Sequence, residues 1–252
     1  MKYLSEIKSL PESTLSFHGA FYNRFQGKYI GISSDQNSTL VQSVKVDLTR
    51  NISNVLSLLQ EEMKYAAQDA IGPCEDWTPI PIYTKLLRIV ALISGRVFVG
   101  LPLCRDERWI DISINFSIDF MAAPRRFWAF KSWQRPFVAP FIREVRKLKE
   151  HRRESRKLLT PIVEQRLREI EKLGDDGKKN DMIQWAIDNA GDKKWDMEHM
   201  ASTYLDASMA AIREFPLPLL SILVLSCADI VTDTTTMNVC ILSLSLPTLV
   251  QK

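Results

Sequence analysis

Residues 75–100 read EDWTPIPIYTKLLRIVALISGRVFVG. Pro79 and Pro81 stand where a helix starts, because the N–H that proline lacks has no partner in a first turn. The run LLRIVALISGRVFV is apolar on nearly every face, so it predicts a helix buried all round in a sizeable core. Gly100 is its expected C-cap, with Pro102 just beyond. This stretch decides the fold: a helix of this kind needs helical neighbours on all sides.

The neighbours are legible on both flanks. Upstream, Asn51–Ala70 carries Ile52, Val55, Leu56, Leu59 and Met63 at the spacing of one apolar helix stripe, and Gly72-Pro73 stops it. Downstream, Asp106 is placed to cap ERWIDISINFSIDFMAA, with Pro124 as its expected end. Residues 127–141, FWAFKSWQRPFVAPF, read as an aromatic, proline-rich connector. A long helix then runs to about Leu173, with Phe141, Val145, Leu148, Leu159, Ile162, Val163, Leu167 and Ile170 on one side. Two shorter helices, Met182–Ala190 and Met197–Ile212, follow, the second with Asp196 as its cap. Ahead of all these, GKYIGIS reads as a short extended piece.

Composition bounds the rest. With 252 residues, 46% hydrophobic and 25% charged, the chain has the balance of a globular protein. A net charge of +3 gives no ground for nucleic-acid binding, and no nucleic-acid motif is present. Charge is concentrated locally: residues 143–157 hold eight basic and three acidic side chains. The turns from Lys149 to Lys157 lack a large apolar residue and read as a solvated face. Cys74, Cys104, Cys227 and Cys240 form no CxxC, and no HExxH accompanies His18, His151 and His199, so no metal site is expected. The N-terminus lacks an apolar signal region, which predicts a cytosolic start without a membrane anchor. Asn37, Asn51 and Asn115 match the glycosylation pattern only in letters. After Arg213 the composition changes: Asp229, Asp233 and Lys252 are the only charges from Phe215 on. Residues 214–252 are therefore expected to be a divergent, poorly ordered tail, of altered splicing or reading frame, behind a helical domain of residues 1–213.

Three quoted words, EDWTPIPIYTKLLRIVALISGRVFVG (75–100), LCRDERWIDISINFSIDFMAAPRR (103–126) and RPFVAPFIREVRKLKEHRRESRKLLTPIVEQR (135–166), resemble the filamentous-fungal, secondary-metabolism branch of the cytochrome P450 family. The likeness covers roughly Leu10 to Ile212. It implies a mainly α chain, a partial P450 fold reaching from the N-terminal and central helices to the start of the oxygen-binding helix. It implies haem as cofactor, an apolar small molecule such as a terpenoid or polyketide as substrate, and an NADPH-dependent reductase as partner. It places the protein in the cytoplasm or at the cytosolic face of the endoplasmic reticulum.

Site residues carry over one at a time. In LDASMAAI, Ala210 and Ala211 stand where the family keeps small residues over the haem, but Arg213, Glu214 and Phe215 replace the polar pair expected next. Lys45 occupies the region of a cation that meets a haem propionate, without the arginine fork. Phe127, Trp128, Phe130 and Trp133 lie in the segment that lines an access channel or dips into a membrane surface. The haem-ligating loop FxxGxxxCxG is absent from these residues: Cys227 in VLSCADI and Cys240 in MNVCILS lack its glycines. No catalytic residue can be assigned, and the chain alone is expected to be inactive. The alternative reading is a non-catalytic helical module that binds a protein partner or a membrane surface.

Overall fold

The computed structural model describes residues 11, 14–32, 43–73, 80–174, 179–190 and 197–214. Asp196, Cys74, Cys227, Cys240 and the tail lie outside them. All regular structure among the described residues is helical, as the resemblance implies. In chain order the helices are α1 (Phe17–Arg24), α2 (Gly27–Ile30), α3 (Ile52–Ile71), α4 (Ile82–Phe98), α5 (Glu107–Phe127), α6 (Arg135–Val138), α7 (Arg143–Leu173), α8 (Met182–Ala190) and α9 (Met197–Glu214). A π-helical stretch, Ser43–Leu48, precedes α3.

Helix α4 is the buried helix foreseen. Leu86, Ile89, Val90, Ala91, Leu92, Gly95 and Val97 are all buried, and α4 packs on α3, α5 and α9. Gly100 closes it in the left-handed region, at φ +66°, its N–H reaching back 3.1 Å to the Gly95 carbonyl. Asp106 caps α5, accepting from the Arg108 N–H at 2.9 Å. Helix α9 lies against α4, α5 and α7, so it is central to the bundle.

Four expectations need correction. Residues 27–30 form a helical turn rather than a strand, because Gln26 and Gly31 both take left-handed backbone (φ 57° and 80°) and fold the chain back. Pro124 does not end α5, which continues to Phe127. Phe116, Phe120, Ala123 and Phe127 form its buried stripe. Burying one phenylalanine stabilises by roughly 1.5–3 kcal/mol, which exceeds the roughly 0.5–1.5 kcal/mol of a net hydrogen bond given up at a proline.

On α3 the inward face is Val55, Glu62, Ala66 and Ala70, while Ile52, Leu56 and Met63 are exposed. The face turned because Glu62 is fully buried, holding Arg105 through two hydrogen bonds of 3.0 and 2.9 Å, with Arg96 at 3.7 Å. Finally, the 149–157 turns are not wholly solvated. Ser155 is buried, and the Arg152 side chain keeps only 14% of its surface. On the same helix Phe141 and Leu167 are exposed, and Arg166 is buried in their stead.

Arg166 makes the tightest junction. Its guanidinium grips the carboxylate of Asp181 through both ends and donates to the Val99 carbonyl at 3.3 Å. Asp181 also accepts from the Gln184 N–H at 3.0 Å, which caps α8. A Cβ on Gly100 would sit 2.1 Å from the Asp181 carboxylate. Removing one partner of a buried pair strands the other charge and costs about 3–5 kcal/mol. Asp181→Ala is therefore expected to lower unfolding free energy by about that amount, read from urea midpoints, whereas Asp188→Ala on the exposed side of α8 should leave them near wild type.

Candidate functional site

Two adjoining cavities open where α2, α7 and α9 meet. The outer one, about 760 Å³, is bordered by Lys28, Lys149, Arg152, Arg153, Arg156 and Glu198. The inner one, about 470 Å³, is walled by Phe21, Ile32, Phe120 and Met209, with His18 and Asp206 as its ionisable groups besides His199. Gly31, His199 and Ser202 border both, so the two form one cleft.

Arg152 stands at the boundary. The turn of α7 that carries it faces α2 and α9, and its guanidinium donates to the Ile30 carbonyl at 2.7 Å and to the Ser202 hydroxyl at 3.0 Å. A Cβ on Gly31 would lie 2.9 Å from this guanidinium, so glycine lets the backbone approach it. The remaining amino group lies 3.8 Å from the Asp206 carboxylate, beyond hydrogen-bond reach. Burial pushes the Arg152 guanidinium below its ordinary value, and Asp206 offsets part of that. Burial pushes the Asp206 carboxyl up to about 6, against the pull of Arg152. Buried side-chain atoms of Arg152, Asp206 and His18 lack hydrogen-bond partners, although buried polar groups are ordinarily paired.

The expected site residues are dispersed. Ala210 borders the inner cavity. Ala211, one position on, is buried in a small core with Ala66, Ala70, Val90 and Ile110. Lys45 falls in the π-helical stretch, and its side chain is outside the described set. Phe127 is fully buried and stacks on Tyr29 at 5.1 Å. Trp128 and Trp133 are 63% and 68% exposed, and Phe130 is half-buried. None of these four borders the cleft. Sequence reasoning missed Arg152, Asp206, His18 and Lys28. The one signal for them was Asp206 itself, a lone acid in the small, apolar run YLDASMAAI.

The chain is 38% identical to cytochrome P450 monooxygenase BOA4 of Botryotinia fuckeliana over 213 residues, which is 84% of this chain and 43% of that protein. It is 35% identical to cytochrome P450 monooxygenase ascG of Acremonium egyptiacum over 84% of the chain and 41% of that relative. It is 34% identical to cytochrome P450 monooxygenase prx8 of Penicillium rubens over 84% of the chain and 39% of the relative.

The chain belongs to the fungal cytochrome P450 monooxygenase family.

It spans about 40% of the length of these curated relatives. No family model matches it, and no solved structure does. The P450 family implies haem. Among the described residues the one cysteine is Cys104, fully buried beneath α4. Burial, then the nearby Glu62, pushes its thiol up to about 12, so it is a packed thiol rather than a thiolate. A Cβ on Gly95 would already lie 3.2 Å from it, leaving no room for a prosthetic group. The described residues therefore do not fit a thiolate-held haem. No group of three or more metal-ligating side chains occurs among them, and no described helix is long and apolar enough to cross a membrane.

The raised Asp206 pKa has a definite sign. Burial outweighs the attraction of Arg152, so the ionised carboxylate costs stability. That cost is absent below about pH 4, grows through about pH 6 and is complete above it. Asp206→Asn is expected to melt roughly 2–4 °C above wild type at pH 8, with the difference vanishing toward pH 4 in calorimetric scans.

Proposed function

We propose that these helices are the substrate-enclosing part of a haem-dependent monooxygenase. The complete enzyme inserts oxygen into an apolar small molecule of the terpenoid or polyketide kind, with electrons from an NADPH-dependent reductase. The observation that carries this reading is the inner cavity. Aromatic and aliphatic side chains wall a space of about 470 Å³, within the range of small-molecule sites. Its border includes Ala210, in the helix that resembles the family's oxygen-binding helix. Residues 1–213 form the functional unit, with 214–252 a divergent tail. Its place is the cytosol or the cytosolic face of the endoplasmic reticulum.

A cysteine thiolate pushes electron density onto iron-bound oxygen, and the one described cysteine is held as a neutral thiol. The 252-residue chain is accordingly inactive by itself. Expressed with haem supplied, it is expected to give no Soret shift of the thiolate-ligated ferrous–CO kind. A clear shift of that kind overturns this reading of the cysteines.

A second reading, a non-catalytic module that docks on a membrane surface or a protein, is favoured by the α5–α7 connector. Trp128, Trp133, Phe137 and Phe141 are 63%, 68%, 72% and 80% exposed, with Lys131 exposed and Arg135 half-buried among them. Amphipathic rings and cations suit an anionic interface. Co-sedimentation with anionic liposomes that declines as salt rises is the expected result. Equal recovery in the supernatant with and without anionic lipid would remove it.

A further inference from the structure

We infer that the cleft between α2, α7 and α9 takes an amphipathic acid, with its carboxylate at the outer mouth and its apolar body in the inner cavity. The inference rests on the small-molecule reading above and narrows its substrate class.

The mouth is built for an anion. Five cations border it against one carboxylate, Glu198. Arg156 reaches Glu198 at 3.4 Å, and Arg153 reaches Glu154 at 3.4 Å and Glu150 at 3.9 Å. Lys28 and Lys149 have no ion-pair partner among the described residues and are exposed at the rim. Arg152 is buried between the cavities with one amino group unpartnered. Cations so placed hold a carboxylate by charge-assisted hydrogen bonds.

The interior is built for hydrocarbon. Phe21, Ile32, Phe120 and Met209 wall it, and Ala210 leaves space. Asp206, on the inner wall only, repels a second anion there and fixes the orientation: head outward, chain inward. A small inorganic anion would leave the inner cavity unfilled. A neutral lipid-like molecule would leave Lys28 and Lys149 unanswered.

The test is calorimetric titration of the full chain at pH 8 with laurate, dodecanol and inorganic phosphate, the amphiphiles kept below their micelle concentrations. Laurate is expected to bind about tenfold or more tighter than dodecanol, the scale of one charge-assisted hydrogen bond. The double variant Lys28→Glu/Lys149→Glu, both rim positions, is expected to bring laurate down to the dodecanol level. Ala210→Trp, which fills the inner cavity, is expected to weaken both amphiphiles. Circular dichroism melts confirm that each variant is folded. Equal affinities for laurate and dodecanol, insensitive to the charge reversal, overturn the acid and leave an apolar substrate standing. Phosphate binding as tightly as laurate overturns the hydrocarbon half. Binding of neither amphiphile overturns both this proposal and the apolar reading of the inner cavity. The ferrous–CO result bears on neither.

Discussion

The bundle depends on one buried ion pair. Arg166 of α7 and Asp181, ahead of α8, share two hydrogen bonds with almost no access to water. The same two residues reach the end of α4 through the Val99 carbonyl and the α8 backbone through Gln184. Three elements distant in sequence therefore meet at one charge. Its cost dictates its surroundings. A desolvated pair is tolerated when its remaining valences are filled, so Gly100 must be glycine both for its positive φ and to make room for the carboxylate. Tyr204 of α9 completes the junction by donating to the Met182 carbonyl at 3.2 Å.

The position of α9 follows from that junction. Held to α8 at Tyr204, it runs along α4, where Ala211 and Ile212 meet Ala66, Ala70 and Ile89. Small residues on both sides allow the close approach. The opposite edge of α9, with Ser202, Asp206 and Ala210, is left facing the cleft. Ion pairs then lock the remaining corner. Arg88 of α4 binds Asp69 of α3 at 2.7 Å and Glu107 of α5 at 2.6 Å, and Glu62 gathers Arg96 and Arg105. The cleft is thus set by the packing of α9 rather than by any loop of its own.

This explains what could be read from the chain beforehand. Helix α4 was legible because an all-round apolar run has one physical outcome, burial, and Asp106 because a cap acts within two residues. Pro124 misled because its local penalty is opposed by tertiary burial of Phe127, which no local rule contains. The stripe on α3 misled for a similar reason: a buried Glu62, satisfied by arginines 34 and 43 residues away, turned the helix. The cleft was least legible. Lys28, Arg152 and Asp206 come from three separated segments, and in sequence Arg152 is one cation among eight in a solvated-looking run.

The pairing of Arg152 with Asp206 separates stability from function. Had it evolved to hold helices together, it would resemble Arg166 with Asp181, bidentate and capped. Instead the charges stand 3.8 Å apart without a hydrogen bond, each with an orphaned atom and each moved by burial toward its neutral form. Such a pair lowers the stability of the empty protein. A chain keeps it at no loss only where something else completes the bonding, and both residues border the one continuous cleft. The incomplete pair, more than the volume of the space, marks this cleft as a place built for a ligand.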